Sequence, residues 1–203
     1  MPVKFYSDEA LTQELARSVG KLDGDGTTTT FSVEEEPDAV RIYSEDKVNG
    51  ELVEGWTYDS ENKTVTLPSA PAEGETAVAI KNDLNRLFEG QDVASNSSDE
   101  TVRTFEQRIF YKVEGCDAKG LTISVADWVS GAGINPSQEY YLSEDNNGSP
   151  AGYGNAGEAL NLGDNPDGTT GSLWVKCVVE QNKEEGFYRD PQLQAGYREL
   201  PVE

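Results

Sequence analysis

Histidine is absent from the 203 residues of this chain. Its absence excludes Ser-His-Asp and Cys-His catalysis and every metal site that uses imidazole. Catalysis would have to rest on paired carboxylates, and among 38 acidic residues some pair lies close by chance, so none can be singled out. The sequence therefore predicts a protein that is not an enzyme, without catalytic or cofactor-binding residues.

Cysteine is scarce, since the chain has only Cys116 and Cys177. They lie too far apart in the sequence for a metal knuckle or a CxxC redox pair. Cys177 follows Leu173 and Val175 at alternating positions, the spacing of one face of a strand. We therefore expect a buried, apolar thiol rather than a disulfide, with pairing of the two cysteines as the open alternative.

Long apolar runs and basic residues are also lacking. No run of about 18 apolar residues occurs, and neither end resembles a secretion signal or lipid-attachment site, so we expect a soluble chain that is not exported by the general route. Lys and Arg total 16 against 38 acidic residues, which gives a net charge of -22. Such a chain repels phosphates and anionic lipid, so neither nucleic acid nor a membrane is an expected partner.

The acidity has two interpretations. It can simply keep the protein soluble. It can also be an adaptation to high salt, where the Debye length falls to roughly 3 Å near 1 M and screens the repulsion between carboxylates. We favour a salt-adapted source.

Residues 24–82 contain short β-branched and aromatic runs separated by turn residues at 48–50, 60–63 and 70–74. This pattern predicts a meander of strands. The order DGTTTTFS, a strand with Val-Asn-Gly, WTYD, TVTL and APAEGE resembles small β-modules of tail and appendage proteins of tailed viruses. The resemblance covers about a quarter of the chain.

Two short segments have helical spacing instead. Leu11, Leu15, Val19 and Leu22 predict a one-sided helix, with strand, turn and strand as the alternative. Residues 84–88 predict one or two helical turns. Residues 90–100 have almost no apolar content, so we expect an exposed connection and a domain boundary there.

The second half has about six short strands separated by Gly, Asn and Pro, which indicates an antiparallel sandwich. Its strand at 174–179, polar Gly186, Tyr-x-Asp at 188–190 and final strand at 193–197 resemble immunoglobulin-like domains of virion proteins and of archaeal and bacterial surface proteins. Pro191 departs from that pattern and predicts a bulge or an edge before the last strand.

The expected fold is therefore mainly β, in two domains. Residues 1–92 form a small N-terminal β-module with short helices, used for docking and assembly. Residues 100–203 form an antiparallel immunoglobulin-like or jelly-roll-type β-sandwich.

Two loops place short oxygen side chains at alternating positions, as a hard cation requires, at residues 23–26 and 145–149. In the second loop Asp145, Asn147 and Ser149 are candidate ligands for calcium or another cation. Ala156 stands where an EF-hand has its bidentate Glu, and the same residues form β-turns equally well. We favour turns.

The segment 152–157, GYGNAG, does not match a GxGxxG nucleotide loop, so we expect an ordinary sandwich loop. Its Tyr153, together with Tyr140, Tyr141 and Trp174, is a candidate interaction surface. Aromatic residues in strands more often belong to a core, which is the competing interpretation.

The resemblances and the charge together imply a non-enzymatic structural protein of a tailed virus of a halophilic, haloarchaeal host, associated with the tail or baseplate. Alternatives are a capsid decoration (turret) protein, a surface or adhesion β-sandwich of a halophile and, more remotely, a carbohydrate-active enzyme. The expected location is the virion, assembled in the host cytoplasm. Expected partners are other virion proteins and copies of the chain itself in a homo-oligomer, and a host-surface glycan or protein is a further option.

Overall fold

The computed structural model describes residues 2–44, 47, 50–88, 94–95, 102–128, 139–179, 186–187 and 191–202. Its named elements are all β-strands, which confirms the mainly β, sandwich-type prediction. In chain order they are β1 (Val3–Tyr6), β2 (Arg17–Asp23), β3 (Thr30–Ser32), β4 (Ala39–Tyr43), β5 (Glu51–Leu52), β6 (Thr57–Asp59), β7 (Thr64–Thr66), β8 (Thr76–Lys81), β9 (Ala94–Ser95), β10 (Arg103–Val113), β11 (Asp117–Ala126), β12 (Tyr140–Glu144), β13 (Leu160–Asn165), β14 (Thr170–Val179), β15 (Gly186–Phe187) and β16 (Gln192–Leu200). Within these ranges no helix has the length and apolarity needed to cross a membrane.

The chain divides into two compact units that are not its contiguous halves. Unit 1 comprises residues 1–15, 85–126 and 135–203, and unit 2 comprises residues 16–84 and 127–134. Residues 1–15 join the second half because β1 pairs antiparallel with β10. The division thus differs from the expected domains 1–92 and 100–203. Most of the expected linker, 90–100, lies outside the described residues, so its role as a boundary stays a prediction.

Unit 2 contains two antiparallel sheets, ordered β2-β8-β4-β5 and β3-β7-β6. Strand β8 reads TAVAIK and is buried on both faces, because its alternate side chains enter two different clusters. Ala77 and Ala79 join Val40 and Val65 in one cluster, which Trp56 and Tyr58 flank. On the other face Val78 and Ile80 pack with Ala16, Tyr43 and Trp128.

The predicted helix over residues 11–22 is wrong, and its strand alternative is found instead. The last residues of the predicted helix belong to β2, in which the pairing register with β8 shifts between Ser18 and Gly20. This bulge adds Val19 as an extra residue, so Val19 and Leu22 both reach the same cluster although they are three positions apart. A bulged strand thereby imitates the spacing of a helix.

The helical turns predicted at residues 84–88 are also wrong. Asn82 and Phe88 have positive φ angles of 57°, outside the right-handed helical region, and the residues between them are not helical. Between them the chain makes turns, with Leu87 and Phe88 buried and Leu84 exposed. The Asn85 side-chain amide donates to the carbonyls of Gln13 and Glu14, both at 2.9 Å, so a side chain fixes this loop.

Unit 1 contains a four-stranded sheet, β1-β10-β14-β12, a three-stranded sheet, β13-β11-β16, and the two-stranded pair β15-β9. The Tyr111 hydroxyl of β10 donates to Asn165 Oδ1 of β13 at 3.2 Å and connects the two larger sheets. One face of the four-stranded sheet packs into the core through alternate residues that include the fully buried Ile109, Leu173 and Val175. Cys177 shares that face, as the sequence predicted.

Both cysteines are buried and form no disulfide with each other, which confirms the prediction of apolar thiols. Strand β16 begins at Gln192 and lies at an edge of its sheet. An edge at this place is one of the two outcomes predicted from Pro191.

Candidate interaction surface

The four-stranded sheet of unit 1 has a second face, formed by the side chains that alternate with its buried ones. The register pairs Glu106 with Lys176, and Arg108 with Trp174, across β10 and β14. Tyr141 and Ser143 continue these two rows on β12. We call this surface the aromatic face and define it as Lys4, Tyr6, Thr104, Glu106, Arg108, Phe110, Lys112, Tyr141, Ser143, Thr170, Ser172, Trp174, Lys176 and Val178, together with Tyr153 from the following loop. Tyr6 and Ser143 are themselves buried, at 7% and 0% exposure.

The charge on the aromatic face differs from that of the whole chain. Its four strands, all described in full, contribute four cations and a single carboxylate, Glu106. Beyond the end of β10, Glu114 pairs with Lys4 at 3.2 Å and with Lys112 at 2.6 Å. The face is therefore close to charge balance on a protein whose net charge is -22.

Asp145, which directly follows β12, holds one corner of this face together. Its carboxylate accepts hydrogen bonds from Arg108 Nη2 and Trp174 Nε1, both at 2.7 Å, and from Ser172 Oγ at 3.0 Å. The Asp145 side chain is only 9% exposed. Burial alone would raise the pKa of Asp145, but the hydrogen bonds from Trp174, Arg108, Gly148 and Ser172 outweigh it and lower that pKa below its usual range.

A tight turn positions Asp145. Asn147 and Gly148 have φ angles of 52° and 89°, and the Asn146 N–H donates to the Ser149 carbonyl at 2.7 Å. Positive φ at both central residues is the type I′ hairpin turn, for which Asn-Gly is the preferred sequence. The sequence Asn-Asn-Gly-Ser thus explains the hairpin locally.

After this turn, residues 151–157 run back along the open edge of β12. The N–H groups of Ala151, Gly154 and Gly157 donate to β12 carbonyls at 2.9, 3.2 and 2.8 Å. Gly152 N–H donates to Ser143 Oγ at 3.0 Å. The loop therefore holds Tyr153 over the aromatic face.

Tyr153 and Tyr141 enclose the Lys176 ammonium. Lys176 Nζ lies 4.1 Å from the centroid of the Tyr153 ring and 4.5 Å from that of Tyr141. Each such cation–π contact contributes about 0.5–1 kcal/mol at an exposed site. Burial, followed by the nearby Glu106 carboxylate, strongly raises the pKa of the Tyr153 hydroxyl, which therefore stays protonated. A third contact of this kind places Arg108 Cζ 4.9 Å from the Phe110 ring centroid.

The structure brings together only part of the predicted aromatic set. Tyr141, Tyr153 and Trp174 share the aromatic face, whereas Tyr140 is 1% exposed and packs against Phe88 at a centroid distance of 6.4 Å. Arg108 and Glu106 belong to the surface as well, although neither was predicted from the sequence. Their alternation with Ile109 and Tyr111 in β10 is the signal that could have identified them.

The candidate cation ligands Asp145, Asn147 and Ser149 occupy the hairpin turn. The Asp145 oxygens face the Arg108 guanidinium, a cation already present in the protein, and Ser149 N–H donates to Asn146 at 3.3 Å. In the loop at 23–26, Asp25 accepts from the N–H groups of Thr27 and Thr28 at 2.7 and 2.6 Å. Across the described residues no group of three or more acidic, Cys or His side chains is arranged to hold a metal. The geometry favours turns, and calcium binding stays a prediction.

A shallow cleft of about 450 Å³ lies on the other side of the loop, lined by Leu142, Glu144, Glu158, Leu160 and Asn161 among others. Glu158 Oε2 accepts from the backbone N–H and the side chain of Asn155 at 3.0 and 3.1 Å, so this carboxylate stabilises its own loop. Asn161 Oδ1 likewise accepts from the Gly163 N–H at 2.9 Å, so the cleft is a weaker recognition surface than the aromatic face.

Comparison of the chain with protein-family models finds no match, and comparison with curated proteins finds none either. The chemistry of the aromatic face is therefore the available guide to function. Half-buried Tyr and Trp rings next to an Arg are side chains enriched at protein–protein contacts, and the Trp174 ring is fixed here by its hydrogen bond to Asp145.

Proposed function

We propose that the protein is a non-enzymatic structural protein of a tailed virus particle, associated with its tail or baseplate, in a salt-adapted host. The observation that carries the assembly role is the aromatic face. Rigid aromatic side chains provide contact area at a low entropic cost, and the protein fixes them before any partner arrives.

The virion setting is supported by the sequence resemblances of residues 24–82 and of the second half. The salt-adapted host is supported by the net charge of -22. Association of such an acidic chain with other copies or with virion proteins requires a patch where repulsion is weak, and the charge-balanced aromatic face meets that requirement.

Mass spectrometry of purified particles from a salt-adapted host tests this function. We expect the protein at a fixed copy number that is a multiple of three, five or six, because tail and capsid symmetries impose such numbers. Absence of the protein from intact particles would refute the virion role and leave the surface-adhesion alternative. Hydrolysis of a glycan that is lost on changing a single Asp or Glu would refute the non-enzymatic role as well.

A further inference from the structure

We propose that the aromatic face is the contact surface of a symmetric dimer, in which two copies of this chain stack their four-stranded sheets face to face. This inference rests on the proposed assembly function and specifies one of its contacts. Two copies that carry -22 each repel one another over most of their surfaces, whereas the four cations of the aromatic face are offset by Glu106, Glu114 and Asp145, so this face is close to charge balance.

The strand order makes this face complementary to its own rotated copy. Consider a two-fold axis that runs parallel to the strands, midway between β10 and β14 and between the two stacked sheets. This axis places β10 of one copy opposite β14 of the other, and it leaves the position of each residue along the strand direction unchanged. Because Glu106 and Lys176 are register partners, the axis places Glu106 of one copy opposite Lys176 of the other, twice. It likewise places Arg108 opposite Trp174. Packed sheets align their strands to within about 30°, so the opposed residues of the two copies lie at approximately the same position along the strands.

Exposure and size are compatible with such a contact. Glu106 and Thr104 are exposed, and Lys176 and Trp174 are half-buried. The four strands lie about 4.8 Å apart and average some eight residues each, with a rise of about 3.4 Å per residue, so the sheet covers a flat area of roughly 500 Å². This is below the roughly 800 Å² per partner of a standard interface, so we expect a dissociation constant in the micromolar range.

Charge reversal tests the pairing directly. Glu106→Lys places two cations in the row formed by residues 106 and 176, and Lys176→Glu places two carboxylates in the same row. Each variant should be monomeric alone, because identical charges then meet across the axis. An equimolar mixture should form a heterodimer, since each Lys then meets a Glu. Glu34→Lys changes the net charge as Glu106→Lys does but lies in unit 2, so it is the matched control.

Sedimentation velocity from about 1 µM to 1 mM at one fixed KCl concentration provides the measurement. Wild type should pass from monomer to dimer, each face variant should raise the dissociation constant by at least about tenfold, and Glu34→Lys should leave it within about twofold. Thermal melts of all variants should show that they are folded. A wild-type protein that is monomeric throughout, equal weakening by Glu34→Lys and Glu106→Lys, or a mixture that forms no heterodimer would overturn the dimer.

Failure of this inference is separable from failure of the proposed function. Monomeric protein in solution that is nevertheless present in particles at a fixed copy number would refute the dimer and leave the virion role. A dimer with the expected charge pairing, from a protein that is absent from particles, would support the dimer and refute the virion role.

Discussion

Replacing Asp145 with Asn should destabilise unit 1 measurably, because this carboxylate is nearly buried and receives several donors. The amide keeps one acceptor oxygen but turns an NH₂ group toward Arg108 or Trp174, which are donors themselves. It also removes the negative charge that faces the Arg108 guanidinium at 2.7 Å. Hydrogen bonds to charged groups contribute about 1.5–3 kcal/mol each, and such contributions within one network are not additive.

Breaking a fully buried ion pair costs about 3–5 kcal/mol. Arg108 is 30% exposed, so its freed guanidinium regains part of its hydration. We therefore expect a loss of about 2–3 kcal/mol in the free energy of unfolding for Asp145→Asn, and somewhat more for Asp145→Ala. Asp59→Asn is the control, because Asp59 also caps a turn, by accepting from Glu61 and Asn62, but is exposed and faces no cation there. It should cost little.

The effect has a defined pH dependence. The pKa of Asp145 is lower in the folded protein than its ordinary value. Its contribution is therefore complete above the unfolded-state pKa, about 3.9, and disappears as the pH falls through the folded-state pKa. Urea unfolding followed by tryptophan fluorescence should give the largest difference between wild type and Asp145→Asn near neutral pH and a smaller one in acid. A difference that is absent at neutral pH, or that grows in acid, would refute this account of the Asp145 network.

Two further predictions concern the charge and the core. Because unscreened charges repel, the melting temperature should rise as KCl increases from about 0.05 M to about 2 M, and an unchanged or falling melting temperature would contradict salt adaptation. Val175 is 0% exposed, so Val175→Asp should lower the free energy of unfolding by several kcal/mol in chemical denaturation. Val178→Asp makes the same substitution on the aromatic face and should cost much less, whereas equal losses would show that the two faces are assigned wrongly.

Strand alternation made much of the fold predictable from sequence. In β14 every second residue from Leu173 to Val179 is buried, so the period of two identifies both the strand and its core face. The same reasoning failed at β2, because a bulge there changes the spacing from two to three. Pairing with β8 decides whether a bulge forms, and this pairing is a tertiary property.

The candidate surface was predictable only in part, for a related reason. Tyr140 and Tyr141 are neighbours in sequence, and only the pairing of β12 with β14 determines which of them points into the core. The Asp145 network joins residues 37 and 29 positions away along the chain. Composition cannot supply that proximity, which depends on the register among β10, β12 and β14.

Salt should act unequally on the interactions of the aromatic face. The Lys4–Glu114–Lys112 group is partly exposed, with 30–37% of each side chain accessible, so molar salt screens it strongly. The Lys176 ammonium lies between two tyrosine rings, and Arg108 is tied to the nearly buried Asp145, so both are screened less. In concentrated salt the repulsion between acidic surfaces weakens while the contacts around Lys176 and Asp145 persist. Such a face is suited to protein contacts in concentrated salt, the condition that the strongly acidic surface of this protein also tolerates.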